Sequence, residues 1–259
     1  MSVARVSRTE WDFDALLTAH LACIRGVYCD GIDELSGGGR YLWSRYIPDP
    51  VFNYAVDTDP TVPGELRHIA TRRQRPAAVM ARQAPPPGND YALEVEAAWM
   101  VRDLHANGPP SPIDSEVRIS AGDPPPEAFL DGFSQTESEV AVNRHIERHY
   151  VHALRCGIAE RADASWHFMV LRDGAAIAFG SLYRTGELAG LYNVATRVDA
   201  RRQGLASTIT RAALRVAHEA GASAAFLQCG AGSAAEALYR SHGFQTVCRP
   251  WLLELPASS

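Results

Sequence analysis

A strand that runs directly into a basic, glycine-bearing turn and then into a helix is the feature that most constrains this sequence. Residues 191–196 are apolar enough for the strand, Arg201-Arg202-Gln203-Gly204 form the turn, and the helix begins near Leu205. The first N–H groups of a helix lack intrahelical partners, and the helix dipole adds positive potential there. Gly204 lets the backbone approach a ligand closely, and small Ala206 and Ser207 keep the first helical turn open. The segment therefore predicts a cradle for a diphosphate.

The residues after the turn predict a right-handed β-α-β crossover. Apolar residues recur at helical spacing from Leu205 to Ala220, and Gly221 stands where a left-handed cap is expected. Residues 224–229 form a short apolar run that ends at Gly230, which is typical of a buried parallel strand. The crossover places the cradle at the carboxyl end of the first strand.

A second helix is predicted from Ser233. The pattern Ser233-x-x-Glu236 fits a capping box, in which the serine oxygen accepts from a helical N–H and the glutamate reaches back. The helix contains Tyr239 and stops before Gly243.

The turn resembles the acetyl-CoA loop of the GNAT superfamily of N-acetyltransferases. Arg201, Gly204 and Ala206 fit its Arg-x-x-Gly-x-Ala pattern, which differs from a dinucleotide turn and from a P-loop.

A second string, Ala235-x-x-Leu238-Tyr239-x-x-x-Gly243-Phe244, is similar to the last conserved block of the same family. The family often has Asn three residues before the alanine, where this chain has Gly232. The contact that this asparagine side chain would make with the cofactor is therefore either missing here or supplied by Ser233.

The resemblance implies a mixed, mainly antiparallel sheet flanked by helices, an α/β (α+β) fold. It also implies direct transfer of an acetyl group from acetyl-CoA to a primary amine of a small molecule or peptide. Tyr239 would then protonate the leaving thiolate, for which its ordinary pKa near 10 is suitable. Asn193 cannot be a base but would orient a water or the acceptor. The residues expected at the cofactor, through backbone pairing with pantetheine or around the diphosphate, are Ala195, Thr196, Val198, Arg201, Arg202, Gln203, Gly204, Leu205, Ala206, Ser207, Ser233 and Ala235.

Two residues are candidates for the general base, and the sequence does not decide between them. They are Glu187, at the turn before the strand that leads to the cradle, and His167, on a neighbouring strand. His145, His149 and His152 lie on one face of a predicted helix and suit zinc in principle. One helix rarely supplies three convergent ligands, and charged neighbours favour a solvated face, so we expect no metal.

Two other functions stay open. A GNAT-like domain can hold CoA as a sensor or scaffold without chemistry, or transfer a longer acyl group. The acceptor pocket carries few diagnostic residues; Phe133, Trp166, Tyr183 and Trp251 either line it or fill the core.

Composition narrows the class of protein. The chain has 259 residues, a net charge of −5 and no lysine, so nucleic acid is not an expected partner and a GC-rich bacterial origin is favoured. The N-terminus lacks a signal-peptide core, and no window is apolar enough to cross a bilayer, so we expect a cytoplasmic protein without a membrane partner. Five cysteines without a C-x-x-C pair indicate reduced thiols. A homodimer stays open.

A proline-rich segment divides the chain. Residues 105–115 read as a linker between a domain at 1–104 and a catalytic domain at 116–259. In the second domain we expect a strand at 117–119, helices at 127–133 and 137–156, and two antiparallel strands at 166–171 and 175–183.

The two parts contain short similar segments in the same order, and this similarity predicts an internal duplication. Residues 52–57 echo 192–196, and 95–101 echo 247–253. The first part lacks a counterpart of the cradle, because 58–64, directly after Asp57, contains two prolines and Asp59. We therefore expect residues 1–104 to be a degenerate GNAT-like domain that does not hold CoA.

Overall fold

The computed structural model of this chain describes residues 11–58, 64–85, 88, 90–106, 112–114 and 116–256. The predicted linker and the proline-bearing segment after Asp57 lie largely outside these residues. Residues 11–106 are called the first half below, and residues 112–256 the second half.

Seven α-helices and twelve strands are assigned within the described residues. The helices are α1 Phe13–Ile24, α2 Gly64–Arg73, α3 Glu127–Phe133, α4 Val140–His145, α5 His152–Cys156, α6 Leu205–Glu219 and α7 Ala234–Ser241. The strands are β1 Gly31–Glu34, β2 Arg40–Trp43, β3 Tyr54–Val56, β4 Ala78–Ala81, β5 Leu93–Asp103, β6 Val117–Ala121, β7 Ala164–Arg172, β8 Ala175–Thr185, β9 Leu188–Thr196, β10 Ala224–Gly230, β11 Gln245–Cys248 and β12 Trp251–Glu254.

One sheet runs through both halves, in the order β1-β2-β3-β4-β12-β5-β10-β9-β8-β7-β6, with β11 also on β5. Among the described strands the pairs β3/β4 and β9/β10 are parallel, and the remaining pairs are antiparallel. The expectation of a mixed, mainly antiparallel sheet flanked by helices is confirmed.

The halves exchange strands at the centre of this sheet. β12, the last strand, lies between β4 and the start of β5, where Leu252 pairs with Met80 and Val95. The later part of β5 pairs with β10 and β11 of the second half. A strand from each half therefore completes the sheet of the other, and the two echoed segments at 95–101 and 247–253 are neighbours.

The order of elements repeats between the halves. β2, β3, α2 and β4 follow one another as β8, β9, α6 and β10 do, and each set ends in a parallel pair. The echoed segments β3 and β9 occupy the same place in this order. The repetition agrees with the duplication hypothesis, which remains a prediction.

The two faces of the sheet are covered differently. On one face a single apolar cluster includes residues of α1, α3, β3, β5, β8 and β9, so both halves contribute to the same core. On the other face α6 and α7 cover the second half, and α2 covers the first. Helix α1 of the first half thus packs against β8 and β9 of the second.

Several elements begin and end where the sequence predicts. Helix α3 spans Glu127–Phe133, and α6 is followed by Gly221 with a φ of +81°. The helix predicted at 137–156 is present from Val140 to Cys156 but contains a π-helical segment at Ile146–Val151. In the described part of the chain, no helix is both long and apolar enough to cross a membrane.

Candidate active site

The parallel strands β9 and β10 separate, and the separation creates a cleft in the sheet. They pair only at Ala224–Leu188, Ala225–Ala189 and Phe226–Gly190, although β9 continues to Thr196 and β10 to Gly230. Beyond Gly190, the edge of β9 that faces β10 has no strand partner among the described residues. An extended ligand arm can pair with such an edge as an added strand does.

The predicted cradle lies at the carboxyl end of β9. A short 3₁₀ turn at Val198–Ala200 follows the strand, and α6 begins at Leu205. Within the described part of the chain, the backbone N–H groups of residues 202–207 donate no hydrogen bond, and the first helical bond is from Thr208 N–H to Gly204 O. Six consecutive free amides at a helix N-terminus form a site for an anion.

Gly204 is required by backbone conformation. Its φ of +79° lies in the left-handed region, and a Cβ on it would meet no atom within 4 Å. The side of the turn that this Cβ would occupy is therefore open to a ligand.

Arg201 has a structural part in the cradle. Its N–H donates to Val198 O, so the free amides begin at Arg202 and not at Arg201 as predicted. Its guanidinium donates to Thr136 O at 2.6 Å and to Glu137 Oε1 at 3.1 Å. Arg201 therefore fastens the cradle to the segment after α3, whereas the exposed Arg202 side chain has no partner among the described residues.

Two other predicted cofactor residues lie at the end of β9 and in the turn that follows it. The Thr196 hydroxyl oxygen is buried and has no hydrogen-bond partner among the described residues. Val198 is 41 % exposed although apolar. An unsatisfied hydroxyl and an exposed apolar side chain next to a free strand edge fit a ligand with amide and methylene groups.

The predicted capping box of α7 is present in part: Ser233 caps the helix, but Glu236 bonds the amide one residue before the N-cap amide that the motif uses. Ser233 Oγ accepts from Glu236 N–H at 3.2 Å, and Glu236 Oε2 accepts from Gly232 N–H at 2.7 Å. Because the Ser233 hydroxyl caps the helix, its use as a substitute for the missing asparagine would compete with the cap. Ala235 lies in the first turn of α7.

Tyr239 lies on α7 with 7 % of its surface exposed. Its ring packs at 5.8 Å from that of Phe244, and its hydroxyl has no hydrogen-bond partner among the described residues. Burial raises the pKa of Tyr239 above its ordinary value, with a smaller contribution from Cys229. A phenol with a raised pKa stays protonated at neutral pH, so it can donate a hydrogen bond but is a weak acid.

Asn193 occupies a bulge in β9. The register with β8 shifts between Phe179 and Ser181, and Asn193 has a φ of +56°. Its Oδ1 accepts from the Tyr28 hydroxyl at 2.7 Å, and its Nδ2 donates to Ser181 Oγ at 3.0 Å. One amide hydrogen and one lone pair remain for a water or an acceptor.

Ser181, His167 and Asp123 form a buried line of hydrogen bonds. Ser181 Oγ lies 2.9 Å from His167 Nδ1, and His167 Nε2 lies 2.9 Å from Asp123 Oδ1. Ser181 and His167 have no exposed surface. Because both imidazole nitrogens are occupied and the serine is inaccessible, His167 does not fit the role of base, nor Ser181 that of nucleophile.

Glu187, the other candidate base, lies at the start of β9, at the opposite end of the strand from the cradle. The structure therefore separates it from the residues predicted to act.

The sequence predicted that the helix face with His145, His149 and His152 is solvated. The structure shows instead that part of this face contacts the first half. His145 Nε2 lies 2.8 Å from Asp49 Oδ2, and His149 Nδ1 lies 2.7 Å from Tyr46 O. These residues join the helix to the first half. No group of three potential metal ligands occurs in the described part of the chain.

The aromatic residues that were candidates for the acceptor pocket are buried or partly buried in the core, and the cysteines lack the properties of a nucleophile. Phe133 and Tyr183 are buried in the shared cluster, and Trp166 and Trp251 are partly buried. Burial raises the pKa of the Cys23 thiol to about 12 and that of Cys248 to about 11, opposite to the change that a nucleophilic cysteine needs.

Two residues of the site were missed in the sequence. Tyr28 and His20 reach β9 from the first half, 165 and 172 positions before their partners. No motif surrounds either residue, and their role follows only from the packing of α1 on β9.

Comparison with known proteins agrees with this geometry. Residues 128–244 match the model of the acetyltransferase (GNAT) family. No curated protein matches the chain at a significant level.

Solved structures share the fold over most of the chain. A GCN5-related N-acetyltransferase from Kribbella flavida has a TM-score of 0.59 and 16 % identity over 94 % of this chain and 95 % of its own. A GNAT-family acetyltransferase structure from Novosphingobium aromaticivorans has a TM-score of 0.55 and 20 % identity over 88 % and 92 %. A tandem GNAT protein from the clavulanic acid biosynthesis pathway has a TM-score of 0.57 and 16 % identity over 87 % and 82 %. Residues 128–244 of this chain therefore form an acetyltransferase domain of the GNAT family.

Proposed function

We propose that this protein transfers an acetyl group from acetyl-CoA to a primary amine of a small molecule or peptide. The run of free amides at residues 202–207, directly beyond the separated strands, carries the proposal. A run of unpaired amides at a helix N-terminus is the kind of site that binds phosphate groups.

In this proposal, different residues of the second half bind different parts of acetyl-CoA. The amides from Arg202 onward hold the diphosphate, and the backbone of Ala195, Thr196 and Val198 pairs with the pantetheine arm. Acetyl-CoA supplies an activated thioester. The protein contributes mainly alignment and electrostatics, which can account for most of the acceleration of acyl transfer between aligned groups.

Two side chains act at the reacting end. The Tyr239 hydroxyl donates a hydrogen bond to the departing sulfur. Because burial raises its pKa, stabilisation of the thiolate by this bond is favoured over complete proton transfer. Asn193 holds a water or the acceptor amine with its unused amide hydrogen and lone pair, and a water carries away the amine proton.

The domain division belongs to the same proposal. We assign the chemistry to residues 116–259 and regard 1–104 as a degenerate GNAT-like domain that does not hold CoA. At the end of β3, Asp57 pairs with Arg40 and Arg82. These ion pairs lie directly after β3, the strand that corresponds to β9 in the order of elements. The cytoplasmic location and the homodimer remain predictions.

A thermal-shift titration with acetyl-CoA tests the cradle, with Gly204→Glu compared against Gly221→Glu. The two glycines have φ values of +79° and +81°, and a Cβ on either meets no atom within 4 Å. Both substitutions therefore impose similar backbone strain, but only the first places a carboxylate among the free amides. Wild type and Gly221→Glu should be stabilised by acetyl-CoA and Gly204→Glu should not. Equal stabilisation of all three would contradict the proposal.

Release of CoA in the presence of amines separates an enzyme from a CoA-binding sensor. The panel comprises an α-amino acid, a polyamine, an aminosugar and a peptide with a free N-terminus. CoA is quantified by chromatography, because the exposed Cys156 would react with a thiol dye. Binding without release by any amine would favour the sensor, and faster release from butyryl-CoA than from acetyl-CoA would favour longer acyl groups.

A further inference from the structure

The first half reaches the bulge in β9 through one buried tyrosine. Tyr28 follows α1, is 1 % exposed, and stacks on Phe52 at a ring distance of 4.8 Å. Its hydroxyl donates to Asn193 Oδ1 at 2.7 Å. Tyr28 and Phe52 belong to the first half, whereas Asn193 lies at the proposed reacting end.

This contact is the first link of a line of four hydrogen bonds that ends at a carboxylate. Asp123 can only accept when ionised, so His167 Nε2 donates to it, and in a neutral imidazole Nδ1 is then the acceptor. Ser181 Oγ therefore donates its hydrogen to His167 and accepts from Asn193 Nδ2. All four donors point towards Asp123, and the direction of each bond is fixed by the next.

Asn193 itself is held in a conformation that few residues adopt. Its φ of +56° is in the left-handed region, which costs free energy for residues other than glycine and is most accessible to Asn and Asp. Two residues of β9, Asn193 and Val194, oppose Gly180 of β8. The hydrogen bonds on both sides of the Asn193 amide thus fix the bulge as well as the side chain.

We propose that Tyr28, together with Ser181, His167 and Asp123, is a set of positioning residues that orients Asn193 and the bulge in β9, so that the first half is a working part of the active site. The inference rests on the proposed function. The four residues touch no substrate in this scheme and act through Asn193.

Tyr28→Phe tests the proposal, because it removes only the hydroxyl that meets Asn193. Tyr41→Phe is the matched control, since Tyr41 is also buried in the first half and its hydroxyl donates to Pro76 O at 2.8 Å, away from β9. CoA release from acetyl-CoA is measured with the best amine of the panel, or with water as acceptor. Tyr28→Phe should lower kcat about 10- to 100-fold, the effect of a small misplacement near reacting groups, without changing the acetyl-CoA thermal shift. Tyr41→Phe should keep kcat within about threefold, because it loses one neutral hydrogen bond far from the site.

A double-mutant cycle distinguishes positioning from general loss of stability. Asn193→Gly keeps the left-handed backbone accessible and removes the amide. If Tyr28 acts through Asn193, adding Tyr28→Phe to Asn193→Gly should change kcat no further. Additive losses, or equal kcat for Tyr28→Phe and Tyr41→Phe, would overturn the proposal.

Hydrogen exchange of the backbone provides a readout that needs no activity. Tyr28→Phe should speed exchange in residues 191–196 and leave β2 unchanged, and Tyr41→Phe should do the reverse. If wild type neither binds acetyl-CoA nor releases CoA, the proposed function fails while exchange still tests the network. Unchanged exchange at 191–196 in Tyr28→Phe would refute the network in either case.

Discussion

The hydroxyl of Tyr192 lies 2.9 Å from Nδ1 of His20, so a histidine of α1 is tied to β9 in the other half of the chain. Gln228 of β10 places its Nε2 3.2 Å from the same nitrogen. His20 therefore connects β9 and β10 where they have already separated. It is 5 % exposed, and its ring lies 5.4 Å from that of Trp99.

The buried His20 should make stability depend on pH in mildly acidic solution. Burial lowers the pKa of His20 from 6.5 to about 3, so the folded chain keeps the imidazole neutral while the unfolded chain protonates it. Its contribution is complete above pH 6.5 and is lost as the pH falls from there towards 3. The free energy of unfolding should fall by about 1.4 kcal/mol per pH unit in this window on account of His20 alone.

His20→Gln should remove that part of the slope while keeping groups that can bond Tyr192 and Gln228. Urea unfolding at several pH values between 4 and 7 measures it, with exposed His68→Gln as control. If wild type and His20→Gln keep the same slope, His20 is not held neutral in the fold.

Changing Arg201 or Arg202 to Gln should affect different properties of the protein, stability in the first case and CoA affinity in the second. Arg201 is already bonded to Thr136 O and Glu137, so its loss should lower the Tm of the free protein with little effect on affinity for CoA. Arg202 is exposed and faces solvent beside the free amides, so its loss should weaken CoA binding by up to about 1 kcal/mol, the value of an exposed ion pair.

Calorimetric titration with CoA at low and high salt measures both variants. The deficit of Arg202→Gln should shrink at high salt, because screening weakens exposed charge pairs. A larger affinity loss in Arg201→Gln than in Arg202→Gln would reverse the roles assigned to the two side chains.

Tyr239→Phe should lower kcat roughly 100-fold, the usual effect of removing a hydrogen-bond donor to a developing negative charge, with unchanged affinity for acetyl-CoA. The hydroxyl interacts with sulfur only as the thiolate departs, so ground-state binding does not depend on it. Because burial raises the pKa of Tyr239, its ionisation should not reduce turnover of the wild type below pH 10. A fall in kcat with an apparent pKa near 9 that Tyr239→Phe abolishes would show that the phenol ionises more readily than its burial allows.

Local signals in the sequence were sufficient to predict the ends of the helices beside the cradle. Gly204 and Gly221 mark the two ends of α6, and Ser233 with Glu236 marks the start of α7, because caps depend on neighbouring residues. The cradle was found for the same reason.

Contacts across the chain could not be found in this way. Pairing of Leu252 with Val95 joins strands more than 150 positions apart, and neither strand differs in composition from one that stays in its own half. The Tyr28–Asn193 bond likewise depends on where α1 packs. The prediction of a solvated face for His145 and His149 was wrong because it relied on their charged neighbours in the sequence. Their partners, Asp49 and Tyr46, come from a distant loop.

Glu236 should be more important for stability than its place in a surface helix suggests. Its side chain is 3 % exposed and accepts hydrogen bonds from Gly232 N–H, Thr246 Oγ1, Arg240 and Arg249. These bonds, led by the Gly232 N–H, lower the pKa of the Glu236 carboxyl, so its contribution is complete above its unfolded value of 4.5 and is lost as the pH falls through the lowered one. Glu236→Gln should therefore reduce the urea midpoint at pH 7 clearly more than Glu127→Gln, whose carboxylate is 69 % exposed and pairs with Arg155. Because Gly232 and Ser233 border the site, it should also weaken acetyl-CoA binding. Equal midpoints for the two variants would mean that the free energy of these four contacts is offset by desolvation of the carboxylate.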